Sequence, residues 1–315
     1  MTKLKGILLT EGMHGMISQV EGLAKALDIN FSHHTVETKG FWKVIPPKFT
    51  PISDSVFKKI ECEDVDLIIS CGRKSIIPSL FLKKYSKKKV FNIHIQNPKI
   101  KLDNFDLVVV PEHDNLDGHN VLKTKGAIHY LTSEEIEKDK EYLFSISSKL
   151  KDKNIISLII GGPTQYYDYS DRNIQEIFSK VNYLVKENNL NLVVIPSMRT
   201  PKGTIEHAKI YFGNDHLVLD DVDKKAYLSA LSISTHLVIT CDSSSMISEA
   251  ALTGKPIYIA SIVPKKNDKR FQQFRNLFRE LNIIRNLGED VVKWSYQKLN
   301  ETTRVANIIN QKIKF

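Results

Sequence analysis

The sequence predicts an α/β protein made of two successive Rossmann-like domains, and three observations support this fold class. Strand-like apolar runs alternate with helical patterns along the chain, as in parallel β–α–β units. The alternation starts again after a charged segment at 137–153. The 315 residues also suit two domains of about 150 residues each. We therefore expect domains at 1–150 and 151–315, with a helical tail at 291–315 that packs back across the domains.

In the first half, strands and helices follow one another in the expected order. Apolar runs predict strands at 6–10, 66–70, 90–95 and 107–110, with a further strand near 31–36. Helical periodicity predicts helices at 18–27, 76–84 and 133–149. Prolines between residues 38 and 51 predict a loop there.

The second half repeats this pattern. Strands are predicted at 155–160, 192–195, 217–219, 237–240 and 257–260, and helices at 172–187, 203–212, 224–231 and from about Ser243 onward. Ligands of open α/β sheets bind at the carboxyl ends of the strands. We therefore expect the two domains to face a central cleft, and we place the chemistry in that cleft.

A serine-rich turn follows the predicted strand at 237–240 and opens the next helix. Ser243, Ser244 and Ser245 are residue types that cap helices, and a helix N-terminus with free amides binds anions. Glu249 lies one turn further on, where its carboxylate can accept hydrogen bonds from ribose hydroxyls. The motif predicts binding of a nucleotide or sugar phosphate, while ordinary capping and a solvated glutamate are the alternative interpretation.

Two further motifs of the second half support the same site. Gly161 and Gly162 form a short turn with Thr164 directly after a predicted strand, where a phosphate or a base can approach the backbone. Arg199 follows the next predicted strand, where a guanidinium can hold a diphosphate through two hydrogen bonds. We therefore assign these residues to the predicted nucleotide-binding site.

The first predicted strand ends in a glycine turn that carries a histidine. Gly12 and Gly15 permit a tight turn and a close approach by a ligand, and His14 lies between them. The turn lacks the third glycine and the ribose-binding acid of a dinucleotide fingerprint, so NAD binding is not predicted. His14 is a candidate general base, with a solvated loop histidine as the alternative.

Other polar residues follow predicted strands of the first half. His113 and Asp114 come after the strand at 107–110 and are candidates to take a proton or to bind a sugar. An aspartate beside a histidine also caps turns, which is the alternative interpretation. Arg73 and Gln96 follow two other predicted strands and add polar groups at the same edge of the sheet.

The sequence predicts neither a metal site nor a bound cofactor. Asp220, Asp221 and Asp223 resemble an acidic metal motif, but they precede a predicted helix, where capping is the better interpretation. His, Cys and carboxylate residues nowhere show the spacing of a catalytic metal site. A Ser-His-Asp elbow is also not evident.

The net charge of +9 comes mostly from lysine, with the densest cluster at Lys83, Lys84 and 87–89. Anionic lipid headgroups or an acidic substrate are one interpretation of this cluster. The favoured interpretation is that these lysines lie on solvated faces of a lysine-rich protein. Nucleic acid binding is not predicted, because arginine is scarce and aromatic residues do not interleave with the basic runs.

The cysteines and the lack of long apolar runs indicate the cellular compartment of the protein. Cys62, Cys71 and Cys241 are odd in number and widely spaced, which favours a reducing compartment. The sequence contains neither a transmembrane run of about 18 apolar residues nor a signal-peptide core. We therefore expect a cytoplasmic protein, with the surface of the inner membrane as an additional location.

Together these motifs resemble the elongated-mitochondria (ELM) fission family, over residues 6 to 290. The residues of the first half that carry the resemblance are Gly12-Met13-His14-Gly15-Met16 with Gln19, Gly72-Arg73, Ile95-Gln96-Asn97-Pro98-Lys99, Pro111-Glu112-His113-Asp114 and Gly126-Ala127-Ile128-His129. Those of the second half are Gly161-Gly162, Arg199-Thr200-Pro201, the run from Asp242 to Ala250, and Arg270-Phe271. Bacterial members of this family are regarded as candidate glycosyltransferases.

The resemblance implies an architecture of the GT-B type, in which the second Rossmann-like domain binds a nucleotide-sugar donor. The serine-rich turn with Glu249 is similar to the donor site of the N-acetylglucosaminyltransferase of peptidoglycan synthesis, where the acid holds the ribose. By this analogy the first domain faces the acceptor. The residues on that acceptor side are Gly12, Gly15, Gln19, Arg73 and Gln96.

The sequence departs from the family pattern at several positions. The middle of the first loop varies within the family, so the resemblance does not establish His14 as the base. Asn97 and Met198 stand where an aspartate and a second arginine are common, which weakens the local charge.

We therefore expect a metal-independent glycosyltransferase that moves a sugar from a nucleotide-diphosphate donor to a cell-envelope acceptor, lipid-linked or polysaccharide. His14, or His113 with Asp114, would deprotonate the acceptor hydroxyl. A nucleotide-sugar epimerase or hydrolase is one alternative. A non-enzymatic scaffold is the other, like the plant family members that recruit a fission dynamin to the mitochondrial surface. The expected partners are a nucleotide sugar and an anionic membrane surface or lipid-linked acceptor.

Overall fold

The computed structural model describes residues 3–61, 64–288 and 290–313, which form two compact units. The first unit contains the described residues up to Tyr130 and those from Asn300 onward, and the second runs from Leu131 to Leu299. Each unit has its own six-stranded parallel sheet, which confirms the predicted α/β class. Of the three cysteines, Cys62 lies outside the described residues.

The sheet of the first unit reverses its strand order beside the first strand. Its strands are β1 (Lys5–Thr10), β2 (Asn30–Thr35), β3 (Leu67–Cys71), β4 (Phe91–Ile95), β5 (Leu107–Pro111) and β6 (Val121–Thr124). They lie in the order β2-β1-β3-β4-β5-β6. The reversal between β1 and β3 is a topological switch point, and ligands of such sheets bind beside it.

The sheet of the second unit has the strand order of a dinucleotide-binding Rossmann fold. Its strands are β7 (Ile155–Ile160), β8 (Asn191–Pro196), β9 (Leu217–Val218), β10 (His236–Thr240), β11 (Ile257–Ala260) and β12 (Ile284–Asn286). They lie in the order β12-β11-β10-β7-β8-β9, which is the 3-2-1-4-5-6 order of that fold. Its switch point lies between β7 and β10.

The described helices connect the strands, and side chains cap the N-termini of four of them. The helices are α1 (His14–Ala26), α2 (Ile76–Tyr85), α3 (Ser133–Lys138), α4 (Tyr142–Ile146), α5 (Asp171–Glu187), α6 (Lys202–Phe212), α7 (Lys224–Ile233), α8 (Ser244–Ala251), α9 (Lys269–Glu280) and α10 (Glu301–Lys312). Thr132 and Glu135 form a capping box at α3, and Asp223 caps α7. The central strands β3, β7, β8 and β10 are buried along their whole length, as expected for parallel strands covered on both faces.

The C-terminal helix α10 belongs to the first unit. Val305, Ala306 and Ile309 are buried in a core cluster that includes residues of α1 and β3. The Thr302 hydroxyl accepts a hydrogen bond from the amide of His129 at 3.0 Å and donates to its carbonyl at 2.8 Å. The last described helix thus packs on the unit that contains the first strand of the chain.

The division between the units differs from the expected boundary at residue 150. The helix predicted at 133–149 is interrupted, and the structure has α3 and α4 in its place. Both pack on α7, where the Tyr142 hydroxyl donates to Asp223 at 2.6 Å and the Leu143 amide donates to Ser229 at 3.1 Å. The segment after residue 130 therefore belongs to the second unit.

The sequence analysis did not predict β6, α9 or β12, and it placed too much helix in the tail. β6 and β12 are short edge strands that are only partly buried. α9 is a largely polar helix in which Phe274 and Phe278 are the buried residues. In the tail, which was predicted helical over 291–315, the helix extends from Glu301 to Lys312.

Candidate functional site

The carboxyl ends of β7 and β10 lie side by side at the switch point of the second sheet. The two strands are paired in parallel, with Ile159 opposite Ile239. Gly161 and Gly162 follow β7, and Asp242 lies two residues after the end of β10. α8 begins directly after its N-cap residue, which follows Asp242. Two loops and one helix N-terminus therefore share this corner of the unit.

Asp242 is buried, and its carboxylate lies at the centre of a hydrogen-bonded group that we call the Asp242 cluster. Oδ1 accepts hydrogen bonds from the hydroxyls of Tyr169, at 2.6 Å, and Thr240, at 2.7 Å. Oδ2 is 2.7 Å from Nη2 of Arg199 and accepts from the amide of Gly162 at 3.2 Å. Burial also raises the pKa of the Tyr169 hydroxyl, so it stays a donor. These partners offset the cost of burying a carboxylate.

Close packing requires glycine at both positions after β7. A Cβ atom on Gly161 would lie 2.3 Å from both carboxylate oxygens of Asp242. A Cβ atom on Gly162 would lie 2.0 Å from the carbonyl oxygen of Arg199. The two predicted glycines therefore let the backbone approach the Asp242 cluster, which the sequence analysis did not foresee.

The N-terminus of α8 presents unpaired polar groups. The Ser243 hydroxyl caps the helix by accepting a hydrogen bond from the amide of Met246 at 3.3 Å. The amides and hydroxyls of Ser244 and Ser245 have no hydrogen-bond partner among residues 3–61, 64–288 and 290–313. Both residues are half-buried. Free amides at the positive end of a helix dipole favour an anion.

Glu249 lies one helical turn beyond Ser245 and on the same face of α8. It is half-buried, and its Oε2 accepts a hydrogen bond from the Tyr227 hydroxyl at 2.7 Å. Burial raises the pKa of Glu249 to about 7, although the hydrogen bond from Tyr227 acts in the opposite direction. Oε1 has no partner within the described part of the chain. A free carboxylate oxygen in this position can accept hydrogen bonds from a ligand.

Arg199 and Thr164 both make contacts within the unit. Nη1 of Arg199 donates to the carbonyl of Gly162 at 3.1 Å. Together with the bond to Asp242, this occupies two of the five guanidinium N–H groups of a side chain that is partly exposed. The Thr164 hydroxyl accepts from the amides of Tyr166, at 3.0 Å, and Tyr167, at 3.1 Å. Diphosphate binding by Arg199 and ligand contact by Thr164 stay predictions.

A second buried ion pair supports the loop after β10, and the sequence analysis missed it. Asp268 is 2.9 Å from Nη2 of Arg275 and accepts from the Tyr167 hydroxyl at 2.6 Å. Nη1 of Arg275 also donates to the carbonyl of Cys241 at 3.4 Å. Arg275 on α9 thereby holds the backbone of Cys241, the residue before Asp242. Asp268 is the N-cap residue of α9, and Arg275 lies two turns further along. This spacing is a signal only where a helix is recognised, and α9 was not predicted.

The switch point of the first sheet brings together the ends of β1 and β3. Gly12 follows β1 in a turn with a φ of +82°, and Arg73 and Lys74 follow β3. Glu11 links the two loops, because Oε1 accepts from the amide of Lys74 at 3.0 Å and Oε2 is 3.3 Å from its Nζ. Glu11 was not predicted as a site residue, although it directly follows a buried strand.

The candidate bases occupy different environments in the first unit. His14 is exposed at the first position of α1, and Gly15 is exposed beside it. The side chains of His113 and Asp114 are almost fully buried, with Nε2 of the histidine 3.9 Å from Oδ1 of the aspartate. Since a general base must reach its substrate, the exposed histidine is the better placed of the two candidates.

Of the remaining predicted residues of the first unit, Gln19 lies in α1, and Arg73 and Gln96 lie just after β3 and β4. Oε1 of Gln19 accepts a hydrogen bond from Sγ of Cys71 at 3.5 Å. Nη2 of Arg73 donates to the carbonyl of Lys43 at 2.7 Å, so this arginine fixes a neighbouring loop. Gln96 follows β4 with a φ of +86°, in the region that favours glycine. Contact of these residues with an acceptor stays a prediction.

The acidic motif before α7 acts as a helix cap. Oδ1 of Asp223 accepts from the amides of Lys225, at 2.8 Å, and Ala226, at 3.2 Å. Asp220 forms an ion pair with Lys209. Among the described residues, the structure contains no group of three or more His, Cys, Asp or Glu side chains arranged to hold a metal ion. Its described helices include none that is long and apolar enough to span a membrane.

Comparison with known proteins shows the family and the fold. The model of the family described as Mitochondrial fission ELM1 matches residues 14–313. Mitochondrial fission protein ELM1 of Arabidopsis thaliana is 26% identical over 282 residues, which cover 78% of this chain and 64% of the plant protein. The chain thus spans less than two thirds of the plant protein. An uncharacterized protein of Rickettsia prowazekii (strain Madrid E) is 25% identical over 295 residues, which cover 79% of this chain and 80% of that protein.

Solved structures with a similar fold are sugar-nucleotide enzymes. UDP-GlcNAc 2-epimerase of Neisseria meningitidis, bound to UDP-GlcNAc, has a TM-score of 0.58 at 11% identity, covering 98% of this chain and 99% of that chain. The enzyme of Methanocaldococcus jannaschii, in complex with UDP-GlcNAc and UDP, has a TM-score of 0.54 at 11% identity with the same coverage. These similarities show a fold of the GT-B type. The family match extends over nearly the whole sequence, so the chain belongs to the mitochondrial fission ELM1 family.

Proposed function

We propose that this protein is a metal-independent glycosyltransferase that moves a sugar from a nucleotide-diphosphate donor to a cell-envelope acceptor. The observation that carries the proposal is the N-terminus of α8, where the amides and hydroxyls of Ser244 and Ser245 have no partner among the described residues. This group lies at the switch point of a Rossmann-type sheet, the position at which such folds bind nucleotides. The similarity in fold to UDP-GlcNAc enzymes agrees with a sugar nucleotide as the substrate.

In this proposal the diphosphate of the donor lies against the first turn of α8. The free amides and hydroxyls donate hydrogen bonds to the phosphate oxygens, and the helix dipole stabilises their negative charge. Arg199 retains guanidinium N–H groups beyond those that bond Asp242 and Gly162, and these face the same anion. Charge that develops on the departing diphosphate is then stabilised by protein groups alone.

Glu249 and Gly161 complete the donor side. The free Oε1 of Glu249 accepts hydrogen bonds from the ribose hydroxyls, one turn from the phosphates. Gly161 lets the buried backbone lie close to the Asp242 cluster, which supports the loop beside the proposed phosphate site. Thr164 holds the turn that follows.

On the acceptor side, the exposed His14 is the proposed base that deprotonates the acceptor hydroxyl. We place the acceptor at the carboxyl edge of the first sheet. The proposed acceptor-side residues are Gly12, Gly15, Gln19, Arg73 and Gln96. We propose a lipid-linked or polysaccharide acceptor of the cell envelope. The site of action is then the cytoplasmic face of a membrane.

Isothermal titration calorimetry with UDP, GDP and UDP-GlcNAc tests the donor site. We expect binding of at least one nucleotide diphosphate, with affinity about tenfold lower in Glu249→Ala and in the double variant Ser244→Ala/Ser245→Ala, since each removes hydrogen bonds to a polar ligand. Glu187→Ala, an exposed glutamate of the same unit, is the control and should bind like the wild type.

The outcomes separate the proposal from its alternatives. If no nucleotide diphosphate binds, the proposal is wrong and a scaffold role is favoured. If Glu249→Ala binds the nucleotide as tightly as the wild type does, the assignment of the donor site to α8 is wrong. Consumption of the nucleotide sugar without any acceptor, followed by NMR, would instead indicate an epimerase or a hydrolase.

A further inference from the structure

The loop between β2 and β3 exposes an unusual number of large apolar side chains. Phe41 is 65% exposed, Val44 73% and Phe49 67%. All three lie in residues 39–52, which we call the 39–52 loop. Single exposed apolar residues are ordinary on protein surfaces, but a group of this size on one short loop marks an interaction surface.

The loop is held in place, and its side chains point in two directions. Two short 3₁₀ turns, Gly40–Lys43 and Pro47–Phe49, shape it. Trp42 and Ile45 face inward and line a small cavity with Phe57 of the core. The hydrogen bond from Arg73 to the Lys43 carbonyl, at 2.7 Å, fixes the backbone between them. Because the inner side chains anchor the loop, the outer aromatic residues stay displayed to solvent.

The charge of the loop is uniformly positive. Residues 39–52 contain three lysines, Lys39, Lys43 and Lys48, and no acidic residue. Neither Lys43 nor Lys48 forms an ion pair with a carboxylate in the described part of the chain. Nζ of Lys48 lies 4.6 Å from the ring centre of Phe49, so cation and aromatic ring share one surface. Apolar side chains among lysines are typical of segments that lie at the interface of an anionic bilayer.

The lysine cluster that stands out in the sequence offers a different surface. It begins in the last turn of α2, about 9 Å along the helix from Ile77, which lines the cavity beneath the 39–52 loop, and it continues beyond the helix. Lys83 pairs with Asp106 and Lys88 pairs with Asp66, each at 2.7 Å. Two of its five lysines are therefore paired with carboxylates within the unit.

We propose that the 39–52 loop inserts into the surface of an anionic lipid bilayer. Phe41, Val44 and Phe49 enter the boundary between headgroups and acyl chains, while Lys43 and Lys48 reach the lipid phosphates. The proposal does not depend on the glycosyltransferase assignment, because the loop and the α8 site belong to different units.

Co-sedimentation of the full chain with vesicles tests the proposal. Vesicles of phosphatidylcholine and phosphatidylglycerol in equal parts should bind the wild type, and vesicles of phosphatidylcholine alone should bind it about tenfold more weakly. Phe41→Ser/Phe49→Ser and, separately, Lys43→Glu/Lys48→Glu should each weaken binding to the anionic vesicles by about tenfold or more. Added salt should reduce the effect of the lysines.

Two matched controls define the surface. Ile210→Ser removes an apolar residue that is 83% exposed on α6 of the other unit. Lys87→Glu/Lys89→Glu makes the same charge change at exposed positions of the sequence cluster. Ile210→Ser should bind vesicles like the wild type, and Lys87→Glu/Lys89→Glu should lose less than about threefold.

Several results would overturn the proposal. The proposal is wrong if the loop variants bind anionic vesicles as strongly as the control variants do. It is also wrong if the wild type binds neutral and anionic vesicles equally. Self-association of the wild type in analytical ultracentrifugation that disappears in Phe41→Ser/Phe49→Ser would assign the loop to a second copy of the chain. Far-UV circular dichroism of the loop variants checks that they remain folded, because nucleotide binding belongs to the other unit. Absence of nucleotide binding in the wild type would leave the vesicle result intact.

Discussion

Asp242 and Glu249 belong to the same loop and helix, but their carboxyl groups differ in the number of hydrogen bonds that they accept. Asp242 receives hydrogen bonds from two hydroxyls, an amide and a guanidinium, so its charge is compensated. Glu249 has the Tyr227 hydroxyl as its hydrogen-bond donor, and burial raises its pKa to about 7. Asp242 therefore supports the structure of the site, while Oε1 of Glu249 has no partner in the part of the chain that the structure describes.

Glu249→Gln should stabilise the protein at alkaline pH. The folded-state pKa of about 7 lies above the ordinary value of 4.5, so the native state binds the proton more tightly than the unfolded state. The stabilisation that this proton provides is complete below pH 4.5 and is lost as the pH rises through 7. At about pH 8 we expect the variant to exceed the wild type by about 2 kcal/mol in unfolding free energy.

Urea unfolding at a series of pH values measures this difference. The advantage of Glu249→Gln should shrink towards zero near pH 4.5. Glu187→Gln, at an exposed position of α5, should follow the wild type at every pH. An advantage of Glu249→Gln that is the same at all pH values would contradict a raised pKa.

At single residues, the sequence predicted groups whose role is local and missed those whose role depends on distant partners. Ser243 is a helix cap wherever a helix follows it, and the structure has it as the cap of α8. Asp242 stands next to it in the same motif, yet its importance comes from Arg199 and Tyr169, which are remote in sequence. A one-dimensional pattern does not contain that pairing.

Among the elements, α10 links the two ends of the described chain. Ile309 is completely buried against α1 and β3. Ile309→Ala should lower the unfolding free energy of the first unit by about 3 kcal/mol, because the cavity that it leaves is enclosed by well-packed neighbours. Asn307→Ala, on the exposed side of the same helix, should change it by less than about 0.5 kcal/mol.

Denaturant unfolding followed by far-UV circular dichroism compares the two α10 variants. A loss in Asn307→Ala as large as that in Ile309→Ala would contradict burial as the source of the contribution of α10, because alanine is the better helix former at the exposed position. Similar stability of both variants and the wild type would show that the helix is dispensable for the first sheet.

Elements with strong periodicity were predicted well, and weakly patterned ones were not. α5 carries buried residues at 174, 177, 178, 181, 184 and 185, a spacing that gives an unambiguous helical stripe. β12 has three residues, and α9 has two buried ones, so neither has a pattern long enough to detect. The interruption between α3 and α4 follows from packing on α7, which the local sequence does not encode.

For the whole molecule, the two units have separate cores, and we expect two unfolding transitions in differential scanning calorimetry. UDP at about a hundred times its Kd should stabilise the second unit by about 2.7 kcal/mol and raise the midpoint of one transition. Ile309→Ala should lower the midpoint of the other. A single transition that responds to both changes would contradict independent units.

The two-sheet architecture could be predicted because alternation of strands and helices repeats along the chain. The structure divides the chain about twenty residues before the expected boundary at residue 150, because the charged segment taken as the boundary packs with α3 and α4 on the second unit. The return of the last helix to the first unit now has a physical basis in its apolar face and its hydrogen bonds to His129.

That return has a consequence for biosynthesis. During translation, the ribosome produces all of residues 131–299 before it reaches α10, so the unit that starts later is the first to have its complete sequence. Until then the nascent first sheet lacks the cover that Val305 and Ile309 provide, and its apolar surface is accessible to chaperones.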